Sequence, residues 1–160
     1  MDFKAVKMNI PDGANIILGQ THFIKTAEDL YEAIAGTASS AKFGLAFSEA
    51  SGDCLIRLEG NDQGLVEAAS QNSQALACGH TFVVLLKGAF PINILNTIKN
   101  VQEVCSIFCA TANPVEVVVA ETEQGRGIMG VIDGYPPKGV EDVSKKQERR
   151  NLLRRFGYKL

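Results

Sequence analysis

Histidine is scarce in this chain: His22 and His80 are the only two among 160 residues. Long apolar runs are absent too. None approaches the roughly 20 residues that cross a bilayer as a helix, so the reading is no membrane partner. The start, Met1-Asp2-Phe3-Lys4, is acidic and lacks the apolar core of an export signal. A cytoplasmic location is therefore expected, with its four cysteines as reduced thiols. Cys105 and Cys109 have no second Cys or His pair to complete a zinc site. Strand alternation places them on one face as free core thiols, and no metal site is assigned. The chain lacks a P-loop and the HRD and DFG segments of protein kinases, which excludes the common nucleoside-triphosphate machinery.

What is present is a globular composition. Hydrophobic residues make up 46% of the chain, enough for one real core. Net charge is −2 but uneven. From Lys138 onward eight basic side chains face three acidic ones, a net +5, which leaves −7 on residues 1–137. The balance argues against a nucleic-acid partner for the whole molecule. The basic tail suits phosphate, RNA or an acidic neighbouring subunit, or simply a solvated helix face.

Periodicity predicts strands at Phe3–Met8, Ile16–Leu18 (closed by Gly19), Phe43–Phe47, Cys54–Leu58, Thr81–Leu86, Val104–Ala110 and Val115–Ala120, with one more after Gly125. Helices are predicted from Thr26, capped by that residue, to Gly36; from Asn61-Asp62 to Leu76; from Pro91, with Ile92, Leu95, Ile98 and Lys99 inward; and as an amphipathic segment over 140–156. The order ββαββαβαβββα reads as α/β, one compact domain over 1–160 with a mixed β-sheet covered by helices. Uncovered strand edges make a homo-oligomer the expectation.

The densest chemistry lies between Gly125 and Asp133, where three glycines, Arg126 and Asp133 follow a strong strand. Gly125-x-Gly127-x-x-Gly130 matches the dinucleotide fingerprint literally. That motif needs a helix after its second glycine, and here Ile128 to Ile132 read as strand. The better reading is a glycine-lined pocket wall. The histidines sit beside glycine-bearing breaks. His80 is equally suited to proton relay or nucleophilic attack and to a merely hydrogen-bonded helix-end role. His22, entering the apolar Phe23-Ile24 pair, leans to the structural role. Glu49, Ser51 and Asp53 crowd a hairpin tip able to meet a ribose, a base amine or Mg²⁺, although turn chemistry alone accounts for them. The turn at Thr111-Ala112-Asn113-Pro114 places two polar side chains at one end of adjacent strands.

Seven blocks in order, Gly19 to Thr26, Ser48 to Asp53, Gly79-His80, Phe90 to Asn93, Ala110 to Pro114, Gly125 to Gly134 and Gly157 to Lys159, resemble the adenosine-specific kinase family. The resemblance runs nearly end to end. It implies a single α/β domain that binds adenosine or AMP rather than ATP, and a histidine able to carry a phosphoryl group. That role is assigned to His80, with His22 as runner-up. In this reading Arg126 pairs with phosphate. Glu49 and Ser51 reach ribose hydroxyls, Gly125 and Gly127 admit the ring, and Asn113 adds a polar contact. Asp133 orients the histidine, and Phe47, Phe90 and Ile128 wall the pocket. Two function classes stay open: a phosphotransferase, or a module that binds adenosine or AMP without turnover. An RNA-associated role for the tail is a third reading.

Overall fold

The computed structural model describes residues 1–160. Eight strands and four helices follow in the expected order: β1 (Asp2–Lys7), β2 (Asn15–Thr21), α1 (Thr26–Thr37), β3 (Lys42–Ser48), β4 (Ile56–Gly60), α2 (Gln63–Leu76), β5 (Thr81–Lys87), α3 (Pro91–Lys99), β6 (Val104–Thr111), β7 (Val115–Glu121), β8 (Arg126–Asp133) and α4 (Val143–Arg155). The α/β class holds. The strands, however, divide into a five-stranded sheet ordered β4-β3-β5-β2-β6 and a three-stranded sheet ordered β1-β7-β8, rather than one mixed sheet. Every ladder is antiparallel. The cause is β5. It slots between β2 and β3 and runs against both, so the two strands joined through α1 never pair with each other.

β5 shows why the core forms. Val83 and Leu85 point to the side closed by α2 and the three-stranded sheet, where Val115, Val117 and Val119 also pack. Phe82, Val84 and Leu86 point to the side closed by α1 and α3, with Leu30, Ile34, Ile94 and Ile98. A strand buried on both faces reads as an unbroken apolar run, as Thr81–Leu86 does. No helix is long and apolar enough to cross a membrane.

Local signals were honoured unevenly. Asp62 caps α2, its carboxylate accepting from the Leu65 N–H at 3.0 Å, and Pro91 opens α3. Thr26 does not cap α1. Lys25 holds that position, and the buried Thr26 hydroxyl donates to the Phe23 carbonyl at 2.6 Å. Gly19 does not close β2, which runs on to Thr21; the glycine is needed because a Cβ there would lie 2.3 Å from the Phe82 ring. In α3, Ile94 is buried in place of Ile92, which is exposed. Cys105 leaves the core, although Cys109 stays in it. The register of β2 against β6 skips Phe108 and Cys105, so alternation fails between the two thiols. Cys54 is also exposed. The C-terminal helix forms, but none of its residues is buried.

The tightest approach is α2 on β3. A Cβ on Gly44 would meet the Leu65 carbonyl carbon and Val66 nitrogen at 2.2 Å, backbone that cannot step aside. Gly44→Ala is therefore expected to cost about 3 kcal/mol or more. Urea unfolding monitored by far-UV circular dichroism should show the loss, and an unchanged midpoint would contradict this packing.

Candidate functional site

β7 and β8 form a hairpin whose turn is closed by the Thr122 N–H on the Gly125 carbonyl at 2.9 Å. The glycine motif then enters β8 with no helix behind it, which disposes of the dinucleotide reading. Gly125 and Gly127 face space: a Cβ added at either would touch nothing within 4 Å. The space is a cleft of about 620 Å³ lined by Gly125, Arg126, Gly127, Glu49, Gly79 and Cys54, among others. Its two walls are tied by a parallel bridge between Cys78 and Arg126.

Arg126 is held across the cleft floor. Its guanidinium donates to the Ala75 carbonyl at 3.3 Å and pairs with Glu121 at 3.2 Å. Glu121 also pairs with Lys4, and that ammonium, followed by Arg126, holds its carboxyl below the usual range. Burial pushes the Cys78 thiol up, with the Arg126 charge working against it. Glu49 accepts from the Leu55 N–H at 2.8 Å and from Arg57 at 2.9 Å. The Leu55 bond first, then Arg57, lower its carboxyl. A lowered carboxyl stabilises the fold fully above its unfolded pKa, near 4.3, and that contribution fades as pH falls through the folded value. Glu49→Gln should therefore flatten the acid limb of stability below about pH 4.3. Thermal melts across that range would read it, and an acid limb identical to wild type would refute the linkage.

His80 immediately precedes β5. Its backbone is left-handed, with φ 57°. Its N–H donates to the Ser48 carbonyl at 2.8 Å, and its own carbonyl accepts the Thr21 N–H at 2.9 Å. The imidazole packs on buried Phe47, ring centroids 6.0 Å apart. The preceding Gly79 lines the cleft, and the ring leans to the Phe47 side. His22 follows Thr21 directly, so the strand pairing brings both histidines to one sheet end. The sequence did not signal this, because the β2–β5 register is a long-range property.

Other predicted residues fall elsewhere. Asp133 and Asn113 lie at the far end of β8. There Asp133 Oδ1 accepts from the Thr111 hydroxyl at 2.8 Å and the Asn113 amide at 3.1 Å. Arg126 and Asp133 close the two ends of an eight-residue strand, roughly 23 Å apart at strand rise. Asp133 therefore does not orient His80, and Asn113 does not reach the Arg126 cleft. Ser51 is exposed on the hairpin tip, where its carbonyl accepts the Cys54 N–H; Cys54 lines the cleft in its place. Phe47 is wholly buried in the sheet, and Ile128 packs on the core. Phe90 lies in a second cleft of about 530 Å³ with Pro91, Thr111, Ala112, Phe156 and Tyr158. Glu49 and Asp53 do not gather a metal set: no three His, Cys, Asp or Glu side chains converge.

Sequence reasoning also missed Glu103. It is 3% exposed, and its Oε1 has no hydrogen-bond partner. Burial above all, with the Asp29 carboxylate adding, pushes it up. Its carbonyl accepts the His22 N–H at 3.1 Å and the Thr21 hydroxyl at 2.9 Å. A polar residue buried by a turn between elements carries no periodic signal.

These features define an α/β protein with an open, arginine-bearing cleft of bare main chain, and with two histidines at one end of the five-stranded sheet. The sequence model of the adenosine specific kinase family matches residues 6–159, and the chain belongs to that family. Among solved structures it is similar to the PH1918 protein from Pyrococcus horikoshii OT3. That likeness has 41% identity and a TM-score of 0.95, covering 99% of this chain and 98% of that one. A search of curated proteins finds no significant match.

Proposed function

We propose that this protein binds adenosine or AMP in the Gly125–Gly127 cleft and transfers a phosphoryl group through His80. The observation that carries the reading is the bare main chain at Gly125 and Gly127, open to solvent and flanked by the Arg126 guanidinium. Gly125 adopts φ 156°, a backbone that itself favours glycine. At Gly127 neither packing nor backbone asks for glycine, and close approach of a flat ligand accounts for it. Arg126 offers planar donors to a phosphate, a geometry matched by bidentate pairing. Binding would compete with Glu121, so the arginine exchanges one anionic partner for another. Glu49 keeps unused lone pairs for ribose hydroxyls.

In the transfer, a His80 nitrogen attacks phosphorus and the donor's bridging oxygen leaves with the bonding pair. A nucleoside hydroxyl oxygen then takes the group as the phosphorus–nitrogen bond breaks, and its proton passes to the freed imidazole or to water. Positioning and charge neutralisation supply the acceleration. His22, at the same sheet end, is the alternative carrier. Self-association belongs to the same reading. The three-stranded sheet leaves Phe3 and Ile132 exposed, and light scattering should give a mass above one chain; a strictly monomeric mass would remove this part.

One observation favours a second reading, a binding module without turnover: the His80 ring rests on Phe47 rather than entering the cleft. Intact mass spectrometry before and after acid separates the two. An acid-labile gain of one phosphate supports transfer. Nucleoside binding with no labelled phosphate ever moving supports the module.

A further inference from the structure

The second cleft is built differently from the first. Its wall is mostly apolar and aromatic, formed by Phe90 and Pro91 at the start of α3, Ala110 to Ala112 at the end of β6, and Phe156 and Tyr158 after α4. Phe156 and Tyr158 meet edge to face, ring centroids 6.4 Å apart. Both are substantially exposed, as is Phe90 at 61%. These three are the aromatic side chains of the cleft.

Polar groups gather next to one lining residue, Thr111, with Asp133 exposed beside the cleft rather than in its lining. Thr111 lines the cleft, and its hydroxyl donates to Asp133 Oδ1. Asn113 donates to the same oxygen. Asp133 is thereby fixed in orientation, while its Oδ2 accepts from no protein donor. Gly134 packs beneath, where a Cβ would press on the Asn113 amide at 3.0 Å. An apolar slot with a few convergent polar groups is the usual make-up of a small-molecule site, and aromatic side chains hold planar bases by stacking.

We infer that this aromatic cleft is a second ligand site, which takes a purine-type nucleoside with its ring against Phe90, Phe156 or Tyr158 and a ring amine or ribose hydroxyl donating to Asp133. A planar ligand with a hydrogen-bond donor uses the aromatic wall and the carboxylate that neighbours Thr111. A purely apolar occupant would leave the oriented carboxylate unused. The distance between the ends of β8 separates this site from the Arg126 cleft, so one nucleoside does not occupy both. The inference does not depend on the site proposed above.

Calorimetric titration of the full chain with adenosine tests it. The wild type should bind two equivalents. Tyr158→Ala and Phe156→Ala should each weaken one of them by about tenfold or more, the loss expected for one stacking partner, and leave the other unchanged. Gly127→Val should remove only the other. A single equivalent lost in Gly127→Val and untouched by the Tyr158 and Phe156 variants overturns the second site and leaves the first. A single equivalent lost in Tyr158→Ala and untouched by Gly127→Val overturns the Arg126 cleft as the nucleoside site. If the Tyr158 and Phe156 variants instead lower the mass seen by light scattering, with no change in adenosine binding, the cleft is a contact between subunits and the inference fails.

Discussion

Gly127→Val should abolish nucleoside binding at the Arg126 cleft while leaving the fold intact. A Cβ at this position meets nothing within 4 Å. The residue lies in β8 with ordinary extended backbone, where a β-branched side chain is favoured. A valine side chain there would cover bare main chain that lines the 620 Å³ cleft. Adenosine affinity there should fall by about a hundredfold or more, with a melting temperature equal to or above that of wild type. The combination is diagnostic. Loss of binding with loss of stability would mean a damaged fold, and retained binding at that site would mean the ligand does not use the bare main chain.

His80→Asn should remove all acid-labile phosphate from the protein. Asparagine tolerates the left-handed backbone that His80 adopts, so the Ser48 and Thr21 backbone bonds survive. Nucleoside affinity should stay within about threefold of wild type, because the ring leans on Phe47 and not into the cleft. Full phosphate incorporation in this variant would move the role to His22 or end it. The parallel variant His22→Asn decides between those outcomes: if His80 is the carrier, that protein labels normally.

The order of elements was legible because most signals are local. The apolar run of β5, the Asp62 cap and Pro91 each act within a few residues. The division into two sheets was not, since it depends on β5 inserting between β2 and β3, a pairing set by the whole core. The same divide runs through the site. Gly125, Arg126 and Gly127 are adjacent in sequence and stayed together. Glu49 joined them through a hairpin. Asp133 belongs to the same motif, yet an eight-residue strand carried it to the opposite end, and the register shift that skips Met129 did not bring it back. Ser51 turned outward while Cys54 turned in. Phe47 reads like any aromatic wall until its neighbours on both sides are known. The pairing of His22 with His80 at one sheet end, and the burial of Glu103 behind them, exist only in three dimensions.

The most direct measurement is a crystal structure with AMP bound. Success looks like a nucleotide lying over Gly125 to Gly127, its phosphate within hydrogen-bonding reach of the Arg126 side chain. Density for AMP only at other surfaces, with that space left to solvent, contradicts the assignment and leaves the fold and family standing alone.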